Sequence, residues 1–82
     1  MNIEITAIRQ ANIARPDGVV VAEYNARVGD FRITCGTVLL THAGELRVSV
    51  GKQGSLYLPT HTQTRRDLRK AALDALEGIV NV

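Results

Sequence analysis

Residues 19–28 alternate between apolar and polar positions, and this alternation is the clearest pattern in the chain. The apolar positions are Val20, Ala22, Tyr24, Ala26 and Val28. A period of two is typical of a β-strand with one buried face, so a strand is predicted here. A shorter alternation over residues 3–7 predicts a first strand that ends near residues 8–13, and residues 15–18, Arg-Pro-Asp-Gly, predict a turn between the two.

A third strand is predicted at residues 31–40. The two residues 29–30 separate it from the second strand, and a connection of that length favours a tight hairpin. Phe31, Ile33 and Cys35 share one face of the predicted strand. We therefore expect Cys35 to be a buried and unreactive thiol.

Two more strands complete the predicted sheet. Residues 42–45 read as a turn, and the alternation over residues 46–50 predicts a fourth strand. Residues 55–58 predict a short fifth strand, which Pro59 ends because proline has no backbone N–H to donate. Short connections between successive strands favour an antiparallel meander.

The last part of the chain changes its period from two to between three and four residues. The apolar positions there are Leu68, Ala72, Ala75, Leu76 and Ile79. This spacing predicts an amphipathic helix over about residues 63–79, with Thr62 or Thr64 as its N-cap. The whole chain, 1–82, is thus predicted to be one α+β domain, an antiparallel meander sheet of four to five strands within about residues 2–58 followed by one C-terminal helix.

The chain is short for an independent domain, at 82 residues. A single helix covers only one face of a sheet, and the alternation places Val19 and Val21 on the less covered face. A domain of this size buries only about 60% of its unfolded surface. We therefore expect a symmetric homodimer.

Nothing in the sequence predicts secretion or membrane insertion. The N-terminus lacks the basic and apolar regions of a signal peptide, and the longest aliphatic stretch is residues 19–22. A lone cysteine, Cys35, fits a reducing compartment. We expect a cytoplasmic protein with no membrane partner.

The net charge of +2 is unevenly distributed. Residues 1–46 hold four basic and five acidic side chains, and residues 71–82 hold two acidic ones. Residues 47–70 hold six basic side chains against Asp67 alone, a net charge of +5. Such clustering is how a protein with modest overall charge attracts a polyanion, although a solvated helix face would give the same pattern.

Candidates for catalysis are few. His42 and His61 lie in no motif with metal-ligand spacing, and no pair of carboxylates is placed to divide acid and base roles. We expect no enzymatic activity, no metal and no cofactor. Residues 51–54, Gly-Lys-Gln-Gly, instead predict a hairpin tip where exposed amides and Lys52 could contact phosphate.

Residues 58–73, Leu-Pro-Thr-His-Thr-Gln-Thr-Arg-Arg-Asp-Leu-Arg-Lys-Ala-Ala-Leu, resemble the C-terminal part of the stage V sporulation protein G (SpoVG) family. That family has a hydrophobic-Pro step, a short polar stretch, and Thr-Arg opening a helix, which Thr64 and Arg65 match. The order of the earlier strands also corresponds, so the resemblance spans most of the chain. It implies a small, bacterial, dimeric and non-enzymatic nucleic-acid-binding regulator built from a sheet and a C-terminal helix.

The sequence departs from that family after the fourth strand. The family typically has Pro-Ser and a basic pair there, whereas this chain has Gly51-Lys52-Gln53, and only Lys52 carries over. The candidate phosphate-binding residues are Lys52, Arg65, Arg66, Arg69 and Lys70. We expect the ligand to be nucleic acid, DNA in preference to RNA. Two alternatives remain, namely a protein-interaction module that uses a sheet edge or the open sheet face, and a single-strand binder of the PC4-like kind with Tyr57 or Phe31 exposed.

Overall fold

A computed structural model describes residues 3–51 and 62–80 of the chain. The strands are β1 (Ile3–Arg15), β2 (Gly18–Val28), β3 (Phe31–Thr41) and β4 (Leu46–Ser49), and the helix is α1 (Gln63–Val80). The strands form one antiparallel sheet in the order β1-β2-β3-β4, and α1 packs on one face of it. The predicted α+β meander with one C-terminal helix is confirmed. The predicted fifth strand at 55–58 lies outside the described residues.

The hairpin between β2 and β3 has the predicted two-residue turn. Val28 pairs with Phe31 across it, and Gly29 adopts a φ of 58°. A positive φ at the first turn residue gives the backbone a twist that matches the right-handed twist of the strands, and glycine adopts it without a Cβ clash. The local sequence therefore sets this connection.

Cys35 is exposed, and the prediction that it is buried was wrong. Tyr24 lies opposite Gly36, and two residues later Ala26 lies opposite Ile33. Because β3 advances three residues while β2 advances two, β3 holds one extra residue here, which is a β-bulge. The bulge shifts the inward positions from Cys35 to Gly36, which strict alternation could not predict.

The pairing of β2 with β3 has a second register shift, this time in β2. It contradicts the predicted placement of Val19 and Val21 on the uncovered face. Val20 lies opposite Leu39 whereas Ala22 lies opposite Val38, so β2 has the extra residue at this point. Val19 and Val21 line a shallow groove together with two residues of α1, Leu76 and Val80. The apolar residues that suggested a dimer face therefore lie beside the helix.

The core lies between the sheet and α1. Its buried side chains include Tyr24 and Val38 from the sheet and Leu68, Ala72 and Leu76 from the helix. The three helical residues recur every four positions and so form the apolar stripe that the sequence predicts. Complete burial of an aliphatic side chain such as Leu68 contributes about 1.5–3 kcal/mol.

Candidate nucleic-acid interface

The start of α1 sets the direction of its basic side chains. The Thr62 Oγ1 accepts a hydrogen bond from the Arg65 backbone N–H at 3.2 Å, so Thr62 is the N-cap, one of the two predicted candidates. Residues four apart lie one above the other on a helix. Arg65 and Arg69 therefore share one flank of α1.

Both of these arginines contact the backbone of β4. The Arg65 Nη2 donates to the Val48 carbonyl at 3.3 Å, and the Arg69 Nη2 donates to the Leu46 carbonyl at 2.8 Å. Carbonyls two residues apart in a strand point to the same side. Since β4 is the last strand of the described sheet, these arginines bind acceptors at an edge of that sheet.

The contact between α1 and β4 creates one groove, which we call the basic groove, with a volume of about 530 Å³. The described residues that line it are Glu45, Leu46, Arg47, Val48, Arg65, Arg66 and Arg69. Four of these side chains are cationic and one is anionic. The Arg47 Nη2 lies 3.9 Å from the Glu45 Oε2, and both side chains are about two-thirds exposed. An ion pair of that length in water holds Arg47 only weakly.

The guanidinium groups of the basic groove retain the capacity to bind an anion. A guanidinium has five N–H donors in a plane, and Arg69 uses one of them at Leu46. Arg66 is exposed, and its side chain has no hydrogen-bond or ion-pair partner within residues 3–51 and 62–80. The groove thus presents planar cationic donors to solvent, an arrangement that suits phosphate oxygens.

Tyr24 stabilises the sheet behind this groove. Its hydroxyl donates to the Ser49 carbonyl at 2.8 Å, which ties β2 to the end of β4 across β3. Burial raises the pKa of Tyr24 to about 12, against a smaller lowering by the Arg65 charge. The hydroxyl therefore remains a protonated donor at neutral pH.

The structure brings together three of the five candidate residues. Arg65, Arg66 and Arg69 line the basic groove, whereas Lys70 is exposed on α1 but does not line it. Lys52 lies outside the described residues. Arg47 also lines the groove. It belongs to the basic segment of residues 47–70 but is not among the residues predicted for the site. Alternation puts Arg47 on the polar side of β4, and only the edge position of that strand brings it beside α1.

The reactive side chains outside the basic groove include no candidate metal centre among the described residues. The His42 Nε2 lies 3.1 Å from the Pro16 carbonyl. In the part of the chain that the structure describes, no three His, Cys, Asp or Glu side chains are close enough to share a metal ion. The described residues also include no helix with the length and hydropathy needed to cross a bilayer.

Comparisons with known proteins give no relative. No family model, no curated protein and no solved structure matches the chain. The resemblance to the stage V sporulation protein G family therefore stays a prediction from the residues that carry it.

Proposed function

We propose that this protein is a non-enzymatic nucleic-acid-binding regulator whose basic groove contacts DNA phosphates. The observation that supports this most is the convergence of Arg47, Arg65, Arg66 and Arg69 on one groove with Glu45 as the one carboxylate among its described lining residues. Arginine pairs with phosphate through parallel N–H···O bonds. Phosphate contacts fix the position of a protein on DNA without reading sequence.

The composition of the groove favours contact with the backbone over stacking on bases. Its described lining residues include no aromatic side chain, whereas binders of single strands stack bases on aromatic rings. Phe31 is partly buried and packs against the core. Tyr57, the other aromatic residue that the PC4-like alternative needs, lies outside the described residues.

Addition of a partner strand at a sheet edge has less support. The Leu46 and Val48 carbonyls of β4 already accept hydrogen bonds from arginines. The opposite edge strand, β1, has irregular register at two points, and bulges of this kind discourage further pairing. The open face of the sheet has cross-strand ion pairs, Arg9 with Glu23 and Arg27 with Glu4, so two of its arginines are already paired with carboxylates.

Fluorescence anisotropy with labelled duplex DNA at low salt tests the proposal. We expect binding by the wild-type protein and a large loss when Arg65, Arg66 and Arg69 are replaced by Ala. The matched control replaces Arg9, Arg15 and Arg32, none of which lines the basic groove. It removes the same charge, so a loss as large in the control would reject the groove as the binding site. If the wild-type protein bound neither duplex nor single-stranded DNA, the proposed function would be rejected.

The homodimer and the cytoplasmic location belong to the same proposal. A dimer would double the number of cations available to one DNA molecule and strengthen binding through effective concentration. Sedimentation equilibrium of the free protein tests it, and a monomer at micromolar concentration would contradict it. The free thiol of Cys35 fits the reducing environment of the cytoplasm.

A further inference from the structure

Arg66 and Arg69 form a natural comparison within the basic groove. Both are exposed, both lie on α1, and both line the groove. They differ in one respect, because the Arg69 guanidinium donates to the Leu46 carbonyl at 2.8 Å whereas the Arg66 guanidinium has no partner within the described residues. The backbone of β4 therefore holds one guanidinium, whereas the other is exposed to solvent with no such contact.

We infer that Arg69 determines where a phosphate sits in the basic groove, whereas Arg66 contributes charge alone, an inference that rests on the proposed function. A guanidinium that is already held in place loses less conformational entropy when it binds a ligand. The bond to the Leu46 carbonyl restricts the Arg69 guanidinium relative to β4, and its other N–H groups remain available to a ligand in the groove that Arg69 lines. Arg66 must be immobilised on binding, which offsets part of its attraction to the phosphate.

Substitution by lysine distinguishes a residue that positions the phosphate from one that contributes charge alone. The lysine ammonium keeps the positive charge but has no planar fork, so one lysine cannot bind the Leu46 carbonyl and a phosphate with the geometry of arginine. At a position that contributes only charge, the same replacement changes the affinity for DNA little. The structure thus assigns different consequences to Arg69→Lys and Arg66→Lys.

The experiment measures the affinity of the full-length protein for duplex DNA at several salt concentrations. We expect Arg69→Lys to weaken binding by about 2- to 10-fold at fixed salt, because anchoring of one side chain is lost. Arg66→Lys should stay within about 2-fold of wild type. Both variants keep their charge, so the dependence of affinity on salt should match wild type in each case.

Alanine variants complete the design. Arg66→Ala and Arg69→Ala each remove one cation, so both should reduce the salt dependence by about 0.9 in the slope of log affinity against log salt. Equal affinities for Arg66→Lys and Arg69→Lys would overturn the inference while leaving the proposed function intact. A wild-type protein that does not bind DNA would overturn both. Thermal unfolding of each variant confirms that the comparison is between folded proteins.

Discussion

The aromatic ring of Tyr24 lies directly over the backbone of Gly36 on the neighbouring strand. The two residues are register partners, and a Cβ atom at position 36 would overlap the ring atoms. The absence of a side chain at Gly36 lets the ring cross β3, so that its hydroxyl reaches the Ser49 carbonyl. This hydrogen bond to β4, the strand that forms one wall of the basic groove, therefore depends on a glycine in the strand beside it.

Gly36→Ala should destabilise the protein by about 1–3 kcal/mol, because the added methyl group overpacks a filled site. Urea unfolding followed by circular dichroism measures the change. Gly78→Ala is the matched control, since a Cβ at position 78 meets open space. Alanine is the better helix former, so the control should raise stability by up to about 1 kcal/mol. Equal effects of the two substitutions would contradict the packing of Tyr24 on Gly36.

Tyr24→Phe should cost about 0.5–1.5 kcal/mol at neutral pH, because the Ser49 carbonyl loses its hydrogen-bond donor. The substitution should also alter how stability depends on pH. The pKa of Tyr24 is about 12 in the folded protein, above its ordinary value of 10.0. The stabilisation from the protonated phenol is therefore complete below pH 10 and is lost as the pH rises through 12.

Unfolding free energies of wild type and Tyr24→Phe between neutral pH and pH 12 check this dependence. Over the alkaline part of the range, the free energy of unfolding should fall by about 2–3 kcal/mol more for the wild-type protein than for the variant. Parallel pH profiles for the two proteins would show that Tyr24 titrates as it does in water.

Cys35 should react with a thiol reagent in the native protein. Its side chain is exposed because the bulge in β3 turns it away from the core. The rate of modification by a disulfide reagent should be close to the rate in denaturant. A rate that is several orders of magnitude slower in the native protein would mean that Cys35 is buried.

The sequence predicts the order of the elements well and the bulges poorly. Alternation from Ala22 to Val28 and the helical spacing of Leu68, Ala72 and Leu76 each reflect burial on one face, so the strand and the helix follow from them. An extra residue in one strand depends on how two strands fit together, and alternation within one strand does not encode it. The placement of Cys35 was wrong for this reason.

The basic groove is predictable in part. The charge cluster predicts Arg65, Arg66 and Arg69, which line the groove, and equally Lys70, which does not. The hydrogen bonds from Arg65 and Arg69 to β4 carbonyls depend on where the helix crosses the sheet edge, which one-dimensional patterns do not specify. The same tertiary contact brings Arg47 into the groove.

Glu45→Gln should strengthen DNA binding, because it removes the one carboxylate among the described lining residues and releases Arg47. The gain should be larger at low salt, where electrostatic attraction is less screened. Glu23→Gln changes the net charge equally but lies on the open face of the sheet, where Glu23 pairs with Arg9 at 3.0 Å. Anisotropy titrations that show the same gain for both variants would mean that net charge, and not the groove, controls binding.

The most direct test of the phosphate-binding groove is the salt dependence of DNA affinity, measured for wild type and for the variant with Ala at positions 65, 66 and 69. If about six to ten phosphates are engaged, the wild-type affinity should fall by roughly three to five decades between 50 and 200 mM salt. The variant should show a slope that is shallower by about 2.7 per chain, since three cations are removed. An identical slope in the two proteins would contradict the account, because the groove arginines would then release no counterions from DNA.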